Sequence, residues 1–181
     1  YIMDTVGAGL GGRVPAFENL PVHNEDGAGA HVYVPWWLYR QQQAGKLDFA
    51  RGYHIEFTTG RQAPNLNVAG PAGPGYGKSF KEELRRTYGS FVGFSGRGEM
   101  IPNQDSFCEL DPTVKDKWGI PVLRFHWKWS SHELNQAAHM QRTFKEMIEA
   151  AGGVAGTPTT GDKAIKPGGF IIHEVGGGIM G

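Results

Sequence analysis

One segment of this chain carries helix punctuation at both ends, and it limits the fold more than any other. Ser130 and Glu133 stand at capping-box spacing, and Gly152 and Gly153 close the segment. Between them Leu134, Ala137, Ala138, Gln141, Phe144, Ile148 and Ala151 form one apolar stripe, which predicts a helix over about residues 131–151. The surrounding chain has a different period. Residues 52–58 alternate, with Tyr53, Ile55 and Phe57 on one face and His54 and Glu56 on the other. Further strand signals fall at 30–37, 90–95, 121–129 and, at the end, Phe170 to Ile172; Tyr1 to Val6 also reads as strand. A shorter helix is expected over 79–88, boxed by Ser79 and Glu82, with Phe80, Leu84 and Tyr88 as its stripe. Together these elements predict an α+β fold.

Glycine supplies 28 of the 181 residues and proline 11, so long connections separate the elements. Aromatics make up 12% of the chain, which excludes a disordered composition. A glycine-rich body of this kind is expected to bury backbone against a large ligand or against further parts of its own chain. Lys plus Arg and Asp plus Glu both total 18, so there is no field to draw nucleic acid or an acidic membrane surface. No apolar run approaches bilayer length. A lone cysteine, Cys108, rules out a disulfide framework and reads as a packed small hydrophobe. It is compatible with cytoplasm and periplasm alike.

Two glycine motifs resemble phosphate loops. Gly7-Ala8-Gly9-Leu10-Gly11-Gly12 has G-x-G-x-x-G spacing, but Pro15 and Pro21 interrupt the helix that must follow, so a glycine-rich turn is expected there. Ala72 to Ser79 approximates a Walker loop ending in Gly77-Lys78-Ser79, followed by the predicted short helix. It lacks a buried strand upstream and an apolar strand ending in Asp downstream, so nucleotide binding is a minor alternative. The loop from Arg61 to Tyr76 has flap-like length.

The seven histidines show no helical zinc spacing, so no metal site is expected. His54 and His126 share strand faces with charged residues and are candidates for lining a polar substrate cleft. Trp127, with Trp36, Trp37 and Trp129, has the right chemistry to stack on a sugar ring, although strand aromatics usually serve the core. A carbohydrate-binding module without a cofactor is the alternative these tryptophans raise. His173 stands apart because Gly176-Gly177-Gly178 follow it, giving an imidazole beside backbone that presents no side chains. A histidine presented on the final residues predicts that the chain is a piece of a longer polypeptide.

The run His173-Glu174-Val175-Gly176-Gly177-Gly178-Ile179-Met180-Gly181 resembles the histidine motif of the glucose–methanol–choline flavoprotein oxidoreductases. Glu99, Pro102, Asn103, Leu110-Asp111-Pro112, Asp116 and Gly119-Ile120-Pro121 are similar to the segment that precedes the C-terminal helix in that family. Phe49-Ala50-Arg51-Gly52-Tyr53 is similar to a run in its pyranose-oxidase-like and glucoside-dehydrogenase-like branches. The resemblance covers the chain from about Phe49 onward. It implies an antiparallel sheet backed by helices: the substrate lobe of a two-lobe, FAD-binding fold. Residues 1–167 would belong to that lobe, and residues 168–181 would start the return to the flavin lobe. It also implies oxidation of a sugar or other alcohol, with His173 as general base and with His173, Gly176 and Gly177 against FAD. A small subunit and a cytochrome acceptor, and a periplasmic location, follow for a bacterial dehydrogenase branch. The second catalytic position would lie beyond Gly181, and the family's dinucleotide fingerprint is absent.

Overall fold

A computed structural model describes residues 1–21, 31–58 and 76–178. Seven strands form in chain order: β1 (Val6–Arg13), β2 (His31–Val34), β3 (Tyr53–Thr58), β4 (Phe91–Gly98), β5 (Phe107–Lys115), β6 (Pro121–His126) and β7 (Val154–Ala155). The helices are α1 (Tyr39–Gln43), α2 (Gly77–Thr87) and α3 (Ser131–Ala150). Five strands make one antiparallel sheet in the order β2-β3-β4-β1-β7, and β5 and β6 pair as a separate ribbon. The fold is α+β with an antiparallel sheet, as expected.

Helix α3 lies across one face of the sheet, against β1 and β4. Its capping box is present: Ser130 N–H donates to Glu133 Oε2 at 2.7 Å, and the buried Glu133 also accepts from Ile101 N–H at 2.9 Å. The sheet accepts the helix because its own residues there are small. Val6, Ala8 and Gly12 of β1 share that face with Gly96 and Gly98 of β4. A Cβ at Gly96 would sit 2.5 Å from Met140 Sδ, and one at Gly98 only 1.9 Å from Gln136 Oε1. Phe144, Met140 and Ile148 fill the space the glycines leave, together with Ile55 and Tyr53 from β3. The buried stripe is rotated from the expected one. Ala137, Gln141, Phe144 and Ile148 are inside as predicted, whereas Glu133, Gln136 and Met140 join them and Ala151 is exposed.

Several local expectations are corrected. Gly7 to Gly12 is not a turn but the middle of β1, held between β4 and β7, because glycine needs no Cβ space between packed layers. Tyr1 to Thr5 is extended with a single bridge, Met3 to Val175, before β1 begins. Helix α2 starts at Gly77 after an extended Tyr76, with no side-chain cap, so Ser79 lies inside it. Strand β5 forms although Pro112 interrupts its alternation, and β6 ends at His126, leaving Trp127 and Trp129 outside it. Phe170 to Ile172 is not a strand. Phe170 N–H turns back to Pro167 O, Ile171 is buried, and Ile172 takes a positive φ of 64°. Residues 61–75 of the flap-like loop and residues 72–75 of the Walker-like run lie outside the described residues.

Candidate functional site

The sheet face opposite α3 carries exposed backbone at Gly9, Gly11 and Gly93. Cross-strand pairing puts Gly7, Gly9, Gly11 and Arg13 of β1 there beside Arg97, Ser95, Gly93 and Phe91 of β4, with His54 and Glu56 of β3 on the same side. Gly9, Gly11 and Gly93 are exposed, and a Cβ built on Gly93 would meet nothing within 4 Å. Only Gly7 is covered, by the Ile171 side chain, whose Cδ1 lies 2.5 Å from where a Cβ would be. The glycine run that resembled a nucleotide fingerprint is therefore a flat backbone platform on one side and a helix seat on the other.

At the lower-numbered end of β1 a cleft of 560 Å³ opens across β3 and β4, lined by Thr5, Trp36, Arg51, His54, Arg97 and Glu99 among others. Helix α3 fixes one wall of this cleft. His132 Nδ1 accepts from Ala50 N–H at 2.8 Å, Asn135 Nδ2 donates to Asp48 O at 3.0 Å, and Gln136 Nε2 donates to Arg51 O at 2.6 Å. Trp36 lies over Gly52, where a Cβ would be 2.8 Å from the indole, and its Nε1–H donates to Gln42 Oε1 at 2.6 Å. His54 Nε2 is 2.9 Å from Glu56 Oε1, and Arg97 Nε stands 3.4 Å from Glu56 Oε2. Behind the wall, the Tyr53 hydroxyl is 2.8 Å from His139 Nδ1 and 3.2 Å from Thr143 Oγ1. Burial pushes the Tyr53 phenol up to about 12 and holds the His139 imidazole below its ordinary range.

His173 is exposed, in the segment that bridges to Met3 just ahead of β1. Two tethers hold its segment. Asp4, itself buried, accepts from Gly169 N–H at 3.0 Å, and Met3 and Val175 exchange backbone hydrogen bonds of 2.9 Å each. Gly176 has φ 88°, and a Cβ there would lie 2.0 Å from Tyr1 O, so its glycine is required by this docking. Gly177 and Gly178 have open space where a Cβ would be.

The other candidates fall elsewhere. His126 belongs to the ribbon, where it stacks on Phe107 at 4.2 Å and meets Glu109 Oε1 at 2.9 Å. Trp127 packs edge-on to Trp129 and over Gly168, whose Cβ position is 2.3 Å from the indole, and its Nε1–H finds no partner among the described residues. Lys78 extends into solvent with Glu82 3.7 Å away. Arg97 was not singled out by the sequence because a lone arginine in a glycine-rich strand carries no local signal. Arg51 and Gly52 were visible only through the Phe49–Tyr53 run. Among the described residues no group of three or more His, Cys, Asp or Glu could hold a metal ion. No described helix is long and apolar enough to cross a membrane.

No protein-family model matches the chain. Over 160 residues it is 26% identical to a gluconate 2-dehydrogenase flavoprotein of Pantoea cypripedii, a match covering 84% of this chain and 26% of that protein. The similarity is to a flavoprotein dehydrogenase. The chain spans about a quarter of that relative's length.

Proposed function

We propose that this chain forms the substrate side of an FAD-dependent oxidoreductase, of the glucose–methanol–choline type, that oxidises a CH–OH group of a sugar or related alcohol. The observation that carries the proposal is an exposed His173 followed in sequence by Gly177 and Gly178, whose Cβ positions are open, on a segment tied to the residues that lead into β1. The similarity to a flavoprotein dehydrogenase supports the same chemistry. The residues fit a flat ring system: Gly177 and Gly178 put no side chain in its way. His173, Gly176 and Gly177 would lie against the flavin, with Gly176 serving the turn that brings them there. When bound, the flavin supplies the hydride acceptor.

His173 takes the hydroxyl proton of the substrate. Negative charge then develops on that oxygen, which makes departure of hydride from the same carbon easier. The Asp4 carboxylate and the Met3–Val175 bridge orient the segment carrying the imidazole. The cleft, with His54 among its lining residues, holds the remaining hydroxyls, and Trp36 offers a ring to the apolar face of a sugar. His126 and Trp127 sit with the ribbon and its junction, so any contact they make with substrate is secondary. A protein electron acceptor suits the dehydrogenase branch.

The test uses the full-length protein that contains this segment. Purified without added cofactor it should show flavin absorption, and anaerobic addition of a polyol or sugar acid should bleach that band. A colourless protein, or a flavin that no CH–OH compound reduces, would refute the proposal.

A further inference from the structure

The cleft across β3 and β4 holds a cation whose hydrogen-bonding capacity is poorly used. The Arg97 side chain is only 26% exposed, yet its one ion-pair contact is Glu56 Oε2 at 3.4 Å, without hydrogen-bond geometry. Its Nε is buried and donates no hydrogen bond among the described residues. A buried N–H left without an acceptor is costly, and Arg97 Nε is such a donor. On the rim of the same cleft Arg51 is held loosely, with Glu99 4.0 Å away and both side chains largely exposed. Glu56 also meets His54 Nε2 at 2.9 Å.

We infer that this cleft binds the carboxylate of a sugar acid, with Arg97 as the residue that selects the acid over the neutral alcohol and Arg51 as a second contact at the rim. The inference rests on the oxidoreductase proposal above and narrows its substrate class. Placement agrees with it. Arg97 pairs with Gly7 on β1, and Met3, just ahead of β1, is bridged to Val175 in the segment that carries His173. A planar guanidinium facing a carboxylate also fixes which end of the molecule enters, and so which hydroxyl meets the base.

Anaerobic flavin-reduction kinetics in the full-length protein, with gluconate and with the matching neutral alditol, test this. The acid should be preferred at least about tenfold in kcat/KM, a margin that one charge-assisted contact supplies. Arg97→Gln should lower the acid-to-alditol ratio roughly 10- to 100-fold, chiefly through KM, and Arg97→Lys should restore part of it. Arg51→Gln, on the exposed rim, should lower the ratio by less. Equal use of acid and alditol by the wild type, or an equal loss for both in Arg97→Gln, would overturn the inference while leaving the flavin chemistry intact. If no compound reduces a flavin, the oxidoreductase proposal fails separately. Calorimetric titration with gluconate then decides the cleft: binding that Arg97→Gln abolishes supports it, and absent or unchanged binding overturns it.

Discussion

Single glycines set the limits of this molecule more sharply than its large side chains do. Gly98 is buried in β4 beneath α3, and Gln136, whose amide holds the Arg51 and Gly52 carbonyls, occupies the space a side chain would need. Gly98→Val should therefore push α3 off the sheet and release the cleft wall as well. The expected loss is about 1–3 kcal/mol or more of unfolding free energy, read from denaturant melts. A loss below about 0.5 kcal/mol would show that the helix does not sit where it is described. None of this was legible in the sequence. G-x-G spacings announce turns and phosphate loops, and nothing local distinguishes a glycine needed for φ from one needed for interlayer distance. His54 was legible as a polar strand residue because strict alternation with Tyr53 and Ile55 fixed its side of the strand.

At the scale of elements, α3 organises both faces of the account. Its ends were readable because the Ser130–Glu133 box and the Gly152–Gly153 stop are local chemistry. Its buried stripe was readable only in part, because Gln136 and Glu133 go inside for backbone partners that sequence cannot reveal. The helix also buries His139 beside Tyr53, Trp36 and Phe49. Desolvation, and then the nearby Arg142, hold its imidazole below the ordinary value of 6.5. The sign follows from linkage: the unfolded chain takes up the proton first, so this stabilisation is whole above about pH 6.5 and is lost as pH falls toward the folded value. Thermal melts should drop between pH 7 and pH 5, and His139→Gln, which keeps an acceptor but cannot titrate, should flatten that drop. Parallel pH profiles for the two proteins would contradict the assignment. The terminal segment shows the opposite limit of legibility. Phe170 to Ile172 has strand composition, but Ile171 is needed over Gly7, and the chain turns to place it there.

Among the described residues, the glycine platform of β1 and β4 is exposed, and so is the β5–β6 ribbon, where Leu110, Leu123 and Phe125 share one exposed face. Charge gives no guidance, since the chain is neutral overall. The fold class followed from local periods, whereas the strand order and the sidedness of the sheet did not, because they depend on pairings between residues far apart in sequence. The same holds for the site. His173 stood out before its glycines, but what holds its segment to the start of β1 is the Met3–Val175 bridge, a contact between segments 172 residues apart. The most direct measurement is single-turnover flavin reduction, under anaerobic conditions, by His173→Ala in the full-length protein. Reduction should slow by about 10²- to 10⁴-fold, the range for removing a general base, with the flavin spectrum and stoichiometry unchanged. Reduction at the wild-type rate would take His173 out of the chemistry and with it the account of this face as a catalytic surface.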